Sequence, residues 1–171
     1  MRRRVVCVTT IALVWLALLQ PAAAMASPCW RTPVTGSVMD PFRPPSCPYC
    51  AGHRGIEYRV APATPVRAVA AGVVTYSGMI AGVMYVVVRH ANGWKTTYGK
   101  LTSSSLQRGD RVVARSQIGR AAGRVYFGLR ISDEYRDPAL YLGRAVGQAR
   151  LVPVDGSPRR SSPPTIWRCR R

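Results

Sequence analysis

The chain shows almost no helical periodicity and consists instead of short β-branched runs separated by glycine-rich turns. Such punctuated runs are typical of all-β sandwiches and barrels, whereas a helix needs apolar residues three and four positions apart. Candidate strands lie at 34–39, 65–69, 72–77, 84–89, 94–98, 111–114, 117–119 and 124–131. Asn92-Gly93 tolerates the positive φ of a tight hairpin turn between two of them. The sequence therefore predicts an all-β fold with few or no helices.

Residues 1–26 have the order of a secretory signal peptide, with Arg2–Arg4 first, an apolar run over 5–19, and small residues up to Ala26. The apolar run is shorter than the roughly 20 residues of a membrane span. We therefore expect cleavage near Ala26, no stable membrane span afterwards, and a secreted product.

Removing residues 1–26 leaves 145 residues, which is enough for one domain with its own core. We place that β domain at 27–150. Residues 151–171 are rich in proline, serine and arginine, and we expect a flexible tail fastened only by Cys169.

The cysteines point to an oxidising compartment. Cys29, Cys47, Cys50 and Cys169 remain after cleavage, and four cysteines allow three disulfide connectivities. The spacing of Cys47 and Cys50 also occurs in redox and zinc motifs, but here it lies in a proline-rich loop. A structural disulfide is the better interpretation of that pair, which would leave Cys29 with Cys169.

The mature chain is strongly basic. Without the three arginines of the signal, 22 Lys and Arg face seven Asp and Glu, a net charge of about +15. An exported protein with this charge is expected to have an anionic partner such as a wall polymer, anionic lipid or free nucleic acid. Of these three, nucleic acid is the partner that we expect least. A basic surface that only aids solubility is the alternative.

Three segments, in order, resemble the lysostaphin-type (LytM-type) peptidoglycan zinc metalloendopeptidases. In the first segment, residues 52–57, Gly-His-Arg-Gly-Ile-Glu, are similar to the family's H-x-G-x-D and are followed by 63–74, which are close to its G-T-P-V-x-A-x-x-x-G-x-V. Residues 87–98 resemble its strand, Asn-Gly turn and T-x-Y, and 107–130 resemble its last segment. The resemblance implies an antiparallel β-sandwich or barrel of the duplicated hybrid motif type.

The resemblance also implies where zinc would bind. The family's first two ligand positions are His53 and Glu57, and the third, the second histidine of H-x-H, is Tyr126. Glutamate for aspartate lengthens the arm by one methylene, and a phenol is a poor zinc ligand unless it loses its proton. We therefore expect no zinc or weak zinc. The alternative interpretation of His53 and Glu57 is a surviving hydrogen-bonded pair.

The family's two catalytic histidines are absent. Lys100 stands where Y-x-H-L has its histidine, and Arg124 stands where H-x-H begins. Both cations can stabilise an oxyanion, but arginine cannot serve as a base and lysine would need a strongly lowered pKa. His90, the only other histidine, matches a strand end outside the family's site. We identify the chain as a degenerate member and expect it to be inactive.

These residues suggest a binding site in place of a catalytic one. Tyr98, Lys100, Arg124 and Tyr126 would line the former substrate groove, where arginine and aromatic faces suit the carboxylates of stem peptides. We expect a secreted domain that binds peptidoglycan or regulates a partner wall hydrolase. The alternatives are an active divergent zinc endopeptidase cleaving cross-bridges or stem peptides, and a general polyanion-binding protein.

Overall fold

The computed structural model describes residues 29–47, 49–146 and 166–169. Within these ranges the chain forms ten strands and one turn of 3-10 helix at Pro138–Leu140. The strands are β1 (Ser37–Asp40), β2 (Ile56–Arg67), β3 (Gly72–Ile80), β4 (Val83–Arg89), β5 (Lys95–Ser103), β6 (Arg111–Val112), β7 (Gln117–Ile131), β8 (Glu134–Arg136), β9 (Arg144–Val146) and β10 (Ile166–Arg168).

One eight-stranded sheet carries most of the domain, in the order β1-β2-β7-β5-β4-β3-β6, with β8 paired to β7. All named strand pairs are antiparallel, which confirms the predicted fold class. The register between β2 and β7 shifts at three places. Bulges of this kind bend a strand and increase its twist, so a continuous sheet can wrap around its own core.

Several strands are longer than the sequence predicted, whereas β1 and β6 are shorter. The two candidate strands at 117–119 and 124–131 are one strand, β7, which continues through Gly123 at φ 89°. The candidate at 65–69 overlaps the end of β2, which begins at Ile56 inside the motif and ends at Arg67. The candidate at 34–39 is displaced to 37–40. Propensity located the apolar runs, but the ends of paired strands depend on partners that lie far away in the sequence.

One face of the sheet is buried. Val74, Val88, Thr96 and Leu129 lie opposite one another on four strands, and none is more than 1% exposed. Residues of the adjacent cross-strand rows face the other side because strand side chains alternate. β4 shows this directly: Val86 and Val88 are buried whereas Val87 is only partly so. The unbroken apolar run at 84–89 is therefore fully buried on one face only.

A hydrogen-bond chain crosses the buried face. The Val69 amide donates to the Tyr98 hydroxyl (3.0 Å), which lies 3.3 Å from the Thr96 hydroxyl. His90 continues the chain, with Nε2 2.8 Å from Thr96 Oγ1 and Nδ1 2.8 Å from the Ala71 carbonyl oxygen. Since a carbonyl only accepts, Nδ1 carries the proton and Nε2 accepts from threonine. Burial lowers the pKa of His90, which agrees with this neutral state.

Two disulfides join the cysteines in the connectivity that the sequence analysis favoured. Cys29 pairs with Cys169 across 140 residues, and Cys47 pairs with Cys50. The first bond lies beside the small sheet of β9 and β10, so part of the predicted tail is ordered. The predicted signal peptide and residues 147–165 lie outside the described residues. In the described part of the chain, no helix has the length and apolar character to cross a membrane.

Candidate functional site

Five strands place one row of residues across the exposed face of the sheet. Directly paired residues in this row, which we call the site row, are Asp40, Glu57, Tyr126, Gly99 and Tyr85. Gly99 leaves space for the Tyr85 ring, since a Cβ there would collide with it. The Tyr85 and Tyr126 rings then meet edge to face with centroids 6.5 Å apart. The row therefore brings two carboxylates and two aromatic rings to one surface.

Glu57 is the buried centre of this surface, with its side chain only 8% exposed. Both carboxylate oxygens accept a hydrogen bond from the Lys100 ammonium at 2.7 Å. Arg124 adds a longer contact, with Nη1 3.5 Å from Glu57 Oε1. A buried carboxylate requires a compensating cation, and lysine supplies it here.

A bulge in β5 aims Lys100 at Glu57. The pairing of β5 with β7 shifts between Gly99 and Leu101, and Lys100 adopts φ 59°. A residue other than glycine rarely takes this left-handed backbone conformation, which costs of the order of 1–3 kcal/mol. The Glu57 contact gives a physical reason for the strained backbone, because the bulge turns Lys100 out of strand alternation.

His53 is held by the segment that follows β1. Its Nδ1 lies 2.9 Å from the Pro41 carbonyl oxygen and 3.6 Å from Asp40 Oδ2, while its ring meets Tyr126 at 5.8 Å between centroids. Among the described residues, its hydrogen bonds do not include Glu57. The interpretation of His53 and Glu57 as a bonded pair was therefore wrong, since each has found a separate partner.

Tyr126 keeps its phenol proton. Burial raises the pKa of Tyr126 well above its ordinary value, and the neighbouring Tyr135 and Tyr85 raise it further. Ionising this phenol would place a negative charge in a poorly hydrated position. In this arrangement Tyr126 is a packed aromatic residue with a neutral phenol.

The donor set of the site does not fit zinc. His53 is suitable, because donation from Nδ1 to a carbonyl leaves Nε2 free to accept. Glu57, however, is bound through both oxygens by an ammonium, and Tyr126 remains a neutral phenol. The described residues contain no group of three or more His, Cys, Asp or Glu side chains placed to hold a metal. Cations at Lys100 and Arg124 oppose a divalent ion at the same place.

Most of the predicted site residues lie together, but Tyr98 does not. Tyr98 is fully buried, and this burial raises its pKa to about 12. Its hydroxyl is used by the hydrogen-bond chain of the core. Its prediction as a ligand-binding residue was wrong, since it lies on the face opposite Glu57. Asp40 and Tyr85 were missed. Asp40 immediately precedes Pro41-Phe42, and Tyr85 lies within an apolar run, so only strand register reveals them.

A hollow of about 310 Å³ opens beside Lys100 and Arg124. Its other walls are small or apolar: Gly82, Val83, Leu101 and Ala122. Arg124 is 59% exposed, compared with 34% for Lys100. Since Lys100 already bonds both oxygens of Glu57, Arg124 is the cation that remains able to bind an added anion.

Residues 51–138 match the family model described as peptidase family M23. In sequence, the chain is similar to the DD-carboxypeptidase/endopeptidase Mpg of Neisseria meningitidis serogroup B and Neisseria gonorrhoeae, with 44% identity over 59 residues. That alignment covers 34% of this chain and 14% of each relative. The chain therefore matches only a small part of the length of these curated relatives.

Solved structures share the fold at low identity. Helicobacter pylori Csd3 superposes with a TM-score of 0.61 at 22% identity, covering 70% of this chain and 34% of that one. A chain of the SpoIIQ–SpoIIIAH pore-forming complex gives 0.60 at 20% identity, with coverage of 68% and 92%. Lysostaphin gives 0.59 at 19% identity, with coverage of 76% and 61%.

Proposed function

This chain belongs to peptidase family M23, and on that premise we propose that it is a non-catalytic, extracytoplasmic domain that binds peptidoglycan. The observation that carries the proposal is that Lys100 donates hydrogen bonds to both carboxylate oxygens of Glu57. A carboxylate neutralised in this way has no need of a metal. The two disulfides and the similarity to a DD-carboxypeptidase/endopeptidase support a location outside the cytoplasm.

Hydrolysis would also need groups that move protons, and the chain is poor in them. It contains two histidines, of which His90 is buried in the core network. His53 is therefore the only histidine at the site. Lys100 and Arg124 contact Glu57 as cations and offer charge without a base. This set can bind an anionic group but lacks the residues to activate water.

Arg124 is the residue that we assign to ligand recognition. Its guanidinium is largely exposed and borders the hollow beside the site row. Planar guanidinium groups bind carboxylates through two parallel hydrogen bonds, and Tyr126 and Tyr85 provide aromatic surface along the same face. The chemistry fits a wall peptide that ends in a carboxylate.

Sedimentation with purified peptidoglycan tests this assignment. Arg124→Gln should weaken binding by about tenfold or more, because a hydrogen bond to a charged group contributes about 1.5–3 kcal/mol. Arg120→Gln, an exposed arginine on the same strand, is the matched control and should leave binding unchanged. Equal binding by wild type and Arg124→Gln, both folded, would rule out recognition at this site.

A divergent zinc endopeptidase is the second candidate. His53 favours it, since its Nδ1 contact with the Pro41 carbonyl leaves Nε2 in the state that a metal requires. This candidate predicts release of soluble fragments from purified peptidoglycan, stopped by a chelator. The binding proposal predicts no release at any zinc concentration.

A protein partner is compatible with either candidate. One structural relative is described as part of the SpoIIQ–SpoIIIAH complex, so a domain of this fold can assemble with another protein. We propose that a wall hydrolase could be positioned in this way. Co-purification of such a hydrolase with the chain would test it.

A further inference from the structure

A second row of side chains crosses the same face as the site row. Residues directly paired across six neighbouring strands form it: Arg111, Val73, Arg89, Lys95, Arg130 and Tyr135. We call its four cations, Arg111, Arg89, Lys95 and Arg130, the basic row. Paired residues of antiparallel strands project on the same side of the sheet. The strand order thus collects four cations that are far apart in the sequence.

The orientation of the basic row follows from strand alternation. The adjacent row, Val74, Val88, Thr96 and Leu129, is buried in the core, so the basic row lies on the opposite, exposed face. Tyr85 of the site row precedes Arg89 by four residues on β4 and therefore shares its face. At about 3.3 Å per residue, the two rows lie about 13 Å apart along the strand.

The charges of the row are poorly neutralised. Lys95 pairs with Asp133 at 2.6 Å, and the Arg130 guanidinium lies 5.7 Å from the Tyr135 ring centroid. Among the described residues, Arg89 and Arg111 have neither a hydrogen bond nor an ion pair from their side chains. Like charges directly opposite each other destabilise a sheet. An anionic ligand would remove that repulsion.

A hollow of about 540 Å³ lies between the two unpaired arginines. Arg89 and Arg111 stand on either side of β3, and Val73 between them forms part of the floor. With strands about 4.8 Å apart, their Cα atoms lie about 10 Å from each other. The whole row from Arg111 to Arg130 spans four strand intervals, about 19 Å. A single carboxylate cannot contact cations distributed over this length.

From this geometry we infer that the basic row binds a linear phosphodiester polymer of the cell envelope, which lies across the strands and places successive phosphates on successive cations. The planar guanidinium group of arginine can donate two parallel hydrogen bonds to phosphate oxygens. A row of cations one residue wide fits a linear polymer better than the flat surface of a membrane. Single-stranded nucleic acid would need a series of aromatic rings on which its bases stack, whereas this row has one exposed aromatic ring, Tyr135. The assignment of the polymer to the cell envelope rests on the proposed function, which places the domain outside the cytoplasm. The geometry of the basic row does not depend on that proposal.

Binding of a synthetic, fluorescently labelled poly(glycerol phosphate) oligomer tests the inference. The variant Arg89→Gln/Arg111→Gln removes two exposed cations of the row. The control Arg120→Gln/Arg144→Gln removes the same charge elsewhere, since Arg120 lies near the other end of β7 and Arg144 borders a groove with the core-facing residues Ile56 and Tyr58. Fluorescence anisotropy would be followed from about 50 to about 200 mM salt, a range over which phosphate contacts weaken strongly.

Each phosphate contact contributes about −0.7 to the slope of log K against log salt for a flexible single chain. Three to four contacts predict a roughly 20- to 50-fold loss of wild-type affinity over that salt range. The row variant should lower the magnitude of the slope by about 1.4, while the control keeps the wild-type slope. If both variants lost affinity and salt dependence equally, binding would reflect general surface charge, and the inference would be overturned.

Two further probes identify the source of the phosphates. Tighter binding of an oligothymidylate of equal length, or binding only to phosphatidylglycerol vesicles, would contradict the assignment to an envelope polymer. The Arg124→Gln variant should bind the phosphate oligomer as wild type does, and the row variant should still bind peptidoglycan. Failure of the peptidoglycan proposal and failure of this inference therefore give different results.

Discussion

Replacing Lys100 by methionine should destabilise the domain because it leaves Glu57 without its principal partner. Methionine retains the length and the apolar stem of lysine and removes only the ammonium. Glu57 is 8% exposed and accepts two hydrogen bonds from Lys100 at 2.7 Å. The change therefore isolates the charge that we place at the centre of the site.

The expected magnitude follows from the burial of both partners. Removing one member of a fully buried ion pair costs about 3–5 kcal/mol. Lys100 is about one-third exposed, and Arg124 remains 3.5 Å from the carboxylate, so we reduce the estimate to about 1–2 kcal/mol. For a domain of this size, this corresponds to a fall of roughly 3–10 °C in Tm.

A double-mutant cycle by urea denaturation measures the pair directly. Glu57→Gln in the Lys100→Met background removes the orphaned charge and should recover about 1 kcal/mol or more of the loss. Lys95→Met is a matched control, because Lys95 pairs with the largely exposed Asp133, and such a pair contributes less than about 1 kcal/mol. If Lys100→Met costs no more than Lys95→Met, or if the cycle shows no coupling, the account of Glu57 is incorrect.

Two other predictions concern stability. Burial lowers the folded pKa of His90 below the ordinary value near 6.5. As the pH falls, the unfolded chain therefore binds more protons than the folded one, so stability should be complete above about pH 6.5 and decline below it. His90→Gln should remove this slope in urea titrations at several pH values. The double variant Cys29→Ser/Cys169→Ser should lower the free energy of unfolding by up to about 5 kcal/mol, and Cys47→Ser/Cys50→Ser by about 2 kcal/mol. The difference arises because the first disulfide closes a far longer loop. Equal shifts in Tm for the two variants would contradict this order.

The sequence was sufficient for the fold and for the family. β-Branched runs and the Asn92-Gly93 turn carry local information, so strand positions were recovered to within a few residues over much of the sheet. The motif around His53 and Glu57 likewise led to the surface where Glu57 meets Lys100 and Arg124. Bulges and strand ends were less accessible, because they depend on the register between β2, β7 and β5.

The partners within the site could not be read from the sequence. Lys100 and Glu57 are 43 residues apart, and a bulge with positive φ decides that they meet. Tyr98 belongs to a motif of the family, but strand alternation places it in the core. The basic row is likewise a product of register, since Arg111 and Arg130 come into line only when five strands are paired. Net charge predicted an anionic partner but not its place.

Zinc titration by calorimetry, with the oxidised mature domain at neutral pH and His53→Ala as control, tests the central claim most directly. The account predicts that wild type and His53→Ala give the same trace, with no one-to-one binding in the micromolar range, because the Lys100 ammonium already neutralises Glu57. Micromolar or tighter one-to-one binding that is lost in His53→Ala would contradict the account and support the peptidase alternative.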